Sequence, residues 1–357
     1  MKKISLVLPN LAGGGAERVN IDLAIEFSKY FAVDIVVCNA IGAFSEEAKK
    51  NFNVVDLQAN SKIKIIKSLA KYIDDERPDC LIASMWGLTA LVPFAKALAK
   101  HKPKLLLVEH SSLVNQFRYS QLKVRLWLKV STFVVYRMAD AVAGVSSGVA
   151  QDMQKLAYLK STPEVLYNPI PMSKSQNLKS NDTVKKIVTA GRLIEAKDHV
   201  TLIKAFAQLD KAMHKLTILG DGPLLVALQQ LAKDLDVYDN ITFTGFVENP
   251  TDYYKTADLF VLSSDREGFG NVIVEALSCG TPVVSTDCEH GPSEILNGGE
   301  FGRLVPVGDD KALASAIEEA LLQKYDKEKL IQRARDFSPE KSAKRYLEVL
   351  GLMIDQK

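Results

Sequence analysis

Two carboxylates eight residues apart carry the most informative chemistry in this sequence. Glu267 and Glu275 flank a Gly-Phe-Gly turn at residues 268–270, and the apolar run that follows predicts a helix beginning near Asn271. Glycines let a backbone approach a ligand closely, and a helix N-terminus favours a phosphate group. The spacing predicts a clamp on a nucleotide sugar, with one glutamate at each end. An ordinary strand–turn–helix with surface acids is the alternative.

The composition is that of a soluble globular enzyme. The chain has 357 residues, of which 47% are hydrophobic and 25% charged, and this length predicts two domains. A net charge of +2 argues against a nucleic-acid binder that relies on bulk electrostatics, so no nucleic-acid partner is expected. The four scattered cysteines lack metal-like spacing and are expected to stay reduced thiols, which favours a cytoplasmic protein.

The N-terminus begins like a signal peptide, with two lysines before an apolar run at residues 4–8. That run is too short for a signal peptide and is followed at once by glycines and charges, so we expect a buried first strand. The sequence has no apolar run long enough to cross a bilayer.

The same pattern of short apolar runs and amphipathic stretches occurs in both halves of the chain. Strands are predicted at residues 4–8, 33–38, 80–84, 105–110 and 141–146, then at 187–190, 216–220, 241–245, 259–264 and 282–286. Helices are predicted at residues 16–30, 63–74 and 88–100, and the polar stretch 169–186 is the expected linker. The pattern predicts two doubly wound α/β domains, whose ligands would bind beyond the carboxyl ends of the strands, in the cleft between domains.

The first strand of each half is followed by a distinctive loop. Three glycines, Gly13 to Gly15, precede the first predicted helix; a tight turn and a ligand loop are about equally consistent with them. In the second half, Arg192 and Lys197 supply two cations, the combination expected at a diphosphate. Glu195 lies between them, and a solvated charged loop is the alternative there.

Together these motifs resemble glycosyltransferase family 4, a family of retaining enzymes. The resemblance is carried by Gly13–Gly15, Gly191-Arg192 with Lys197, Gly220-Asp221-Gly222-Pro223, and the segment from Glu267 to Glu275. It implies the GT-B fold, in which two Rossmann-like domains face each other across a cleft. Residues 1–170 would bind the acceptor and residues 171–338 the donor, and a final helix, predicted at residues 339–354, would allow residues 339–357 to cross back to the first domain.

The resemblance also implies roles for individual residues. Glu267 would contact the sugar hydroxyls nearest the bond that breaks, Glu275 would hold the ribose, and Arg192 with Lys197 would neutralise the diphosphate. The remaining donor contacts implied are Gly15 and Gly220, Val247 in the loop after the third strand of the second half, and the backbone around Phe269, Gly270, Asn271 and Val272. His110, at the end of a predicted strand, would lie near the transferred sugar, whereas the role of His290 stays open.

The implied reaction is a front-face attack by the acceptor hydroxyl while the sugar–phosphate bond breaks. The departing phosphate would take the proton, so no side-chain nucleophile is needed, and positioning and charge stabilisation supply most of the acceleration. We expect neither a cofactor nor a metal ion, because Arg192, Lys197 and helix N-termini can replace a cation. The single Asp-x-Asp match, at residues 234–236, is interpreted as chance.

A basic and aromatic segment without acids follows His110. Residues 111–139 contain no Asp or Glu, and the part from 113 to 137 mixes five basic residues with large apolar ones, including Phe117, Tyr119 and Trp127. This composition suits an anionic membrane surface, although packing of the helix on its own sheet is the alternative.

The sequence therefore predicts a peripheral, cytoplasmic-face glycosyltransferase of bacterial envelope glycan assembly. The resemblance implies transfer of a hexose or N-acetylhexosamine from a nucleotide sugar, expected to be UDP-linked, to a lipid-linked or glycan acceptor. A UDP-sugar epimerase of the same fold and a non-catalytic nucleotide-sugar-binding protein are the alternatives. The pair Glu267 and Glu275 favours the transferase over the epimerase, and the complete set of matched charges argues against a binder that has lost turnover.

Overall fold

The computed structural model describes residues 1–173 and 183–352. The chain divides into two compact units: one comprises Met1–Pro169 with Pro339–Lys357, and the other comprises Ile170–Ser338. Part of the predicted linker, residues 174–182, lies outside the described residues. Its first residues are not an exposed spacer, because Ile170 is buried and its N–H donates to the Phe337 carbonyl at 2.9 Å.

The N-terminal unit is built on a seven-stranded parallel sheet. Its strands are β1 (Lys3–Leu8), β2 (Ala32–Val37), β3 (Asn53–Asp56), β4 (Cys80–Ser84), β5 (Lys104–Glu109), β6 (Ala141–Gly144) and β7 (Glu164–Val165). They lie in the order β3-β2-β1-β4-β5-β6-β7. The helices between them are α1 (Gly15–Ser28), α2 (Ser45–Asn51), α3 (Lys62–Glu76), α4 (Val92–Leu98), α5 (Leu113–Gln116), α6 (Leu122–Met138) and α7 (Ser147–Ala157).

The second unit repeats this design with six parallel strands. They are β8 (Lys185–Ala190), β9 (His214–Leu219), β10 (Ile241–Gly245), β11 (Leu259–Leu262), β12 (Val283–Thr286) and β13 (Arg303–Val305), in the order β10-β9-β8-β11-β12-β13. Its helices are α8 (His199–Phe206), α9 (Leu225–Asp234), α10 (Thr251–Thr256), α11 (Asn271–Ser278), α12 (Pro292–Ile295), α13 (Asp310–Leu322) and α14 (Lys327–Ala334).

Central strands are buried on both faces, as their continuous apolar sequences require. Five consecutive residues of β1 are buried, and all five of β4. Side chains cap several helix N-termini: Ser61 accepts the N–H of Lys64 at the start of α3, and Asp309 accepts that of Ala312 at the start of α13. The prediction of two doubly wound α/β domains is confirmed.

Three short strands were missed by the prediction, and one internal helix is shorter than predicted. The three short strands β3, β7 and β13 were not predicted; they have only two to four residues and are partly exposed, which leaves too little apolar pattern to detect. The helix predicted over residues 88–100 is shorter, because its first residues form turns and α4 begins at Val92 with a proline in its first turn.

The last helix, α15 (Pro339–Val349), packs within the N-terminal unit. Tyr346 is buried, and its ring meets that of Phe27 on α1 edge to face at 6.3 Å. The helix is shorter than the predicted 339–354, and Gly351 has a left-handed φ of 62° just beyond its end, as expected of a helix stop. Residues 353–357 lie outside the described residues.

Tyr346 gives a stability test with a built-in control. We expect Tyr346→Ala to lower the unfolding free energy of the N-terminal unit by about 3 kcal/mol, because it removes a buried ring. Within the described residues the Tyr346 hydroxyl has no hydrogen-bond partner. Tyr346→Phe should therefore be close to neutral. Denaturant unfolding of both variants checks this, and equal losses would contradict the packing described for α15.

Candidate active site

The sequence-predicted donor residues of the second unit collect at one edge of its sheet. All six strands are parallel, so the loops after β8, β9, β10, β11 and β12 emerge at the same carboxyl edge. The chain winds from β8 outwards to β10, then returns beside β8 as β11 and continues to β13. The point where the winding reverses lies between β8 and β11, and this is where open α/β sheets bind ligands.

An ion pair joins the two loops at this switch point. Lys197 Nζ, in the loop after β8, lies 2.5 Å from Glu267 Oε1, in the loop after β11. Ser264 Oγ donates to the same carboxylate oxygen at 2.7 Å, and the Asp265 N–H donates to the Ala196 carbonyl at 3.0 Å. The side chains of Lys197 and Glu267 are only 21% and 9% exposed, so the pair is sheltered and fixed in orientation.

Arg192 adds a cation that the protein itself does not neutralise. Its side chain is exposed, and it forms no ion pair or hydrogen bond with any residue in ranges 1–173 and 183–352. The charges of Lys197 and Glu267 neutralise one another, so the charge of Arg192 remains available to bind an anion at the loop after β8. Glu195, which the sequence placed between the two cations, does not pair with either of them in the described part of the chain.

Glycines bring the neighbouring loops into contact. Gly220, directly after β9, has a φ of 138°, and a Cβ there would lie 2.0 Å from the Gly191 carbonyl oxygen. Its N–H donates to the Gly245 carbonyl at 2.8 Å, which ties the end of β10 to the same edge. Phe246 and Val247 follow β10, the first exposed and the second half-buried. Gly220 is therefore required by close backbone packing.

The loop after β12 packs against the turn before α11 and fixes its position. Gly270 caps α11 with a φ of 104°, so the helix begins at Asn271, as predicted. Phe269 is buried, and a Cβ at Gly291 would lie 1.7 Å from the Phe269 carbonyl oxygen, so the loop after β12 lies directly against the turn. The first turn of α11, which includes Val272, carries partial positive charge and directly follows the loop after β11 at the carboxyl edge of the sheet.

Glu275 lies one turn into α11 and is half-buried. Its Oε2 accepts a hydrogen bond from the Tyr254 hydroxyl at 3.1 Å, and Tyr254 is itself buried. This contact orients the second carboxylate of the predicted clamp. Within the described residues, no cluster of three or more His, Cys, Asp or Glu side chains suits a metal ion.

The two predicted site residues of the N-terminal unit follow β1 and β5 of its own sheet. Gly15 is exposed at the start of α1, and the carboxylate of Glu17 folds back towards that end of the helix, 2.5 Å from a Cβ built on Gly14. His110 directly follows β5. Its ring nitrogens are buried without a hydrogen-bond partner in the described part of the chain, and desolvation lowers the pKa of the imidazole to about 4.

Family models match both halves of the chain. The model described as Glycosyltransferase Family 4 matches residues 13–174, and the model described as Glycosyl transferases group 1 matches residues 173–337. The chain is also 30% identical to the N-acetylgalactosamine-N,N'-diacetylbacillosaminyl-diphospho-undecaprenol 4-alpha-N-acetylgalactosaminyltransferase of Campylobacter jejuni, over 98% of this chain and 100% of that protein. This chain belongs to glycosyltransferase family 4.

Solved structures of related architecture agree with this family. HepE of Anabaena, in complex with UDP and glucose, matches with 21% identity and a TM-score of 0.81 over 99% of this chain and 100% of that one. The apo form of the lipopolysaccharide outer core galactosyltransferase WaaB matches with 18% identity and a TM-score of 0.79, over 98% and 99% of the two chains. At these identities the likeness shows the fold, and the two Rossmann-like domains of this glycosyltransferase are those of the GT-B fold.

Several residues that shape the site were missed by sequence reasoning. Arg333 on α14 donates to the Glu294 and Ile295 carbonyls at 2.7 and 2.8 Å, and its guanidinium stacks 4.8 Å from the Phe337 ring centre. The Phe337 ring in turn meets that of Phe269 edge to face at 5.4 Å. Together with Ser264 and Tyr254, these side chains support the predicted site residues on the loops after β11 and β12 and on α11.

Glu109, immediately before His110, was also missed. It is buried at the end of β5, where its Oε1 accepts hydrogen bonds from Thr89 at 2.7 Å and Tyr136 at 3.1 Å. Burial raises the pKa of this carboxyl to about 7, and the two hydrogen bonds oppose that shift. The only indication of this residue in the sequence was a single acid at the end of an otherwise apolar strand.

The pKa of Glu109 predicts a pH dependence of stability. The folded protein keeps this proton to about pH 7, whereas the unfolded chain loses it near its ordinary pKa of 4.5, so native stability falls as pH rises between these values. Glu109→Gln removes the titration. We expect the melting temperature of the variant, relative to the wild type, to rise between about pH 5 and about pH 8. A difference in melting temperature between variant and wild type that stays constant across this pH range would contradict the prediction.

Proposed function

We propose that this glycosyltransferase moves a hexose or N-acetylhexosamine from a UDP-linked sugar to a lipid-linked glycan, with retention of the anomeric configuration. One observation carries the proposal: the Lys197–Glu267 ion pair at the switch point, with the unpaired Arg192 on the same loop. A sugar diphosphate offers hydroxyls to a carboxylate and phosphate oxygens to cations, so its two halves match the two sides of this site.

The donor would be held along the edge of the second unit. Glu267 would accept hydrogen bonds from the sugar, Arg192 and Lys197 would contact the diphosphate, and the first turn of α11 would add its positive end. Glu275, oriented by Tyr254, would accept both ribose hydroxyls. The solved structure of HepE contains UDP and glucose, which supports UDP as the nucleotide for this fold.

The reaction would need no covalent intermediate. The acceptor oxygen would bond to the anomeric carbon on the face that the phosphate leaves, as the bond from that carbon to the phosphate oxygen breaks. The acceptor proton would pass to the departing phosphate. Arg192 and Lys197 would stabilise the negative charge that develops there, which is the largest contribution expected in such a site. We therefore propose a reaction without a metal ion or a cofactor.

His110 fits a role in positioning the sugar. A pKa of about 4 keeps its imidazole neutral at neutral pH, so one ring nitrogen donates and the other accepts. A neutral ring can hydrogen-bond a sugar hydroxyl without adding a charge that would attract the diphosphate. Its buried, unpartnered nitrogens support such a contact.

A glutamine substitution tests the central carboxylate. We expect Glu267→Gln to lower kcat/KM for sugar transfer by at least roughly 100-fold, because it removes a charge fixed at the reacting centre. Glu319→Gln, which breaks a surface ion pair with Arg303 in the same unit, should leave transfer unchanged. Radiolabelled sugar transfer provides the measurement, and melting temperatures of both variants exclude misfolding. Undiminished transfer by Glu267→Gln would refute the assignment.

The acceptor is proposed to be a polyprenyl diphosphate glycan of the bacterial envelope. The Campylobacter jejuni relative is named for a diphospho-undecaprenol acceptor, and it matches 98% of this chain and 100% of its own length. A membrane-bound acceptor requires the enzyme to reach the membrane. We propose peripheral binding at the cytoplasmic face through segment 113–137. Among the described residues, no helix combines the length and apolar character needed to span a membrane.

Helix α6, the centre of that segment, has the surface expected of membrane contact. It buries only Leu128, Thr132, Val135 and Tyr136, and leaves Leu122, Leu126, Trp127, Val130 and Phe133 exposed. Lys123, Arg125 and Lys129 have no ion-pair partner in the described part of the chain. Arg137 does not share this role, because it donates to the Ala157 and Tyr158 carbonyls at 2.9 and 2.7 Å.

Charge reversal tests membrane binding. We expect Lys123→Glu/Lys129→Glu to weaken binding to anionic liposomes by at least roughly tenfold, since each basic residue near such a surface contributes about 1 kcal/mol. Lys49→Glu/Lys50→Glu, on the exposed face of α2 in the same unit, is the matched control. Liposome sedimentation at moderate salt measures both. If both double substitutions weaken liposome binding equally, the attraction depends on net charge and not on α6. If the wild type does not bind at low salt, the membrane role is excluded.

A further inference from the structure

A cavity of about 310 Å³ opens on the surface of the N-terminal unit beside α6. We call it the α6 groove. One wall is the stretch from Gly87 to the start of α4, and the other is one face of α6. The side chains that line it include Leu91, Phe94, Trp127, Val130 and Val134, together with Lys62.

The groove is apolar and open to solvent. Trp127 is 51% exposed and Val130 is 58% exposed, although both lie on a helix that packs on the sheet through its other side. An added Cβ at Gly87 would meet nothing within 4 Å, so the groove is not filled by the protein around it. Connected apolar surface of this kind marks a binding site for an apolar partner.

The charge around the groove has a single sign. Lys62 Nζ lies 5.7 Å from the centre of the Trp127 ring, and Lys62 has no carboxylate partner among the described residues. The first turn of α3, which Lys62 begins, contains no acid, and neither do residues 111–139. A ligand that matches both features is a hydrocarbon chain with an anionic group at one end.

We propose that the α6 groove binds the first isoprenoid units of a polyprenyl diphosphate acceptor, with Lys62 at the diphosphate end. This inference rests on the acceptor class proposed above and adds a defined subsite to it. Branched isoprenoid units would pack against Phe94, Trp127 and the two valines, and their burial would remove apolar surface from water on both partners. The groove would then select the lipid chain, independently of the glycan that the chain carries.

The two tryptophans of the chain make this site directly observable. Trp86 and Trp127 are the only tryptophans in the sequence, and their rings lie 6.3 Å apart, edge to face. Tryptophan fluorescence therefore comes from Trp127, which lines the α6 groove, and from Trp86 beside it. We expect farnesyl diphosphate, a short soluble isoprenoid diphosphate, to give a saturable fluorescence change, whereas inorganic pyrophosphate should give none.

Matched glutamine pairs locate the binding. Val130→Gln/Val134→Gln places polar groups in the groove and should weaken farnesyl diphosphate binding by at least roughly tenfold. Leu122→Gln/Leu126→Gln changes two exposed residues of α6 that do not line the groove, and it should leave this affinity unchanged. Lys62→Gln should weaken binding of farnesyl diphosphate but not of farnesol. Equal effects of the two glutamine pairs, or no saturable change in the wild type, would overturn the proposal.

The remaining outcomes are also decisive. If sedimentation shows a dimer that Val130→Gln/Val134→Gln converts to a monomer, a second copy of the chain occupies the groove and the lipid assignment is wrong. The titration contains no sugar donor, so it is independent of turnover. If the wild type transfers sugar normally but gives no fluorescence response, only the proposal for the α6 groove is refuted. If the response is normal but Glu267→Gln transfers sugar undiminished, only the catalytic assignment is refuted.

Discussion

The proposed donor site depends on one ion pair, which joins two loops across the point where the second sheet reverses its winding. Lys197 and Glu267 come from loops on opposite sides of the point where the second sheet reverses its winding, and their contact fixes both loops at once. Because the pair is sheltered, loss of either charge would leave the other without compensation. The same pairing also sets the local charge, since it leaves Arg192 as the cation available to a ligand. A bound diphosphate would compete with Glu267 for Lys197.

The fold could be predicted from the sequence because parallel strands buried on both faces have a strong apolar signal. The predicted bounds of residues 80–84 and 241–245 are those observed for β4 and β10. The signal weakens at the sheet edges, where β3, β7 and β13 are short and partly exposed. The helix predicted before Val92 failed for another reason: its apolar residues are buried in turns, and periodicity does not separate a buried turn from a helix.

Site residues within contiguous motifs could be predicted, but the residues that position them could not. Glu267 and Glu275 stand out by spacing, whereas Tyr254 and Arg333 reach the site only after the sheet and its helices have assembled. Glu109 illustrates the same limit at short range. Glu109 is next to His110 in the sequence, but its partners Thr89 and Tyr136 are brought to it only by the fold. Motifs identify the groups that would meet a ligand, and tertiary packing supplies their orientation.

The return of α15 to the N-terminal unit makes the second unit an insertion within the first. During synthesis, Ile170–Ser338 can complete its own sheet as soon as it leaves the ribosome. The N-terminal unit emerges first but lacks α15 until residues 339–349 are translated, so Phe27 has no Tyr346 partner while Ile170–Ser338 is being made. The N-terminal unit is therefore completed only after the second unit has been made, and a premature stop before Pro339 would remove part of its core.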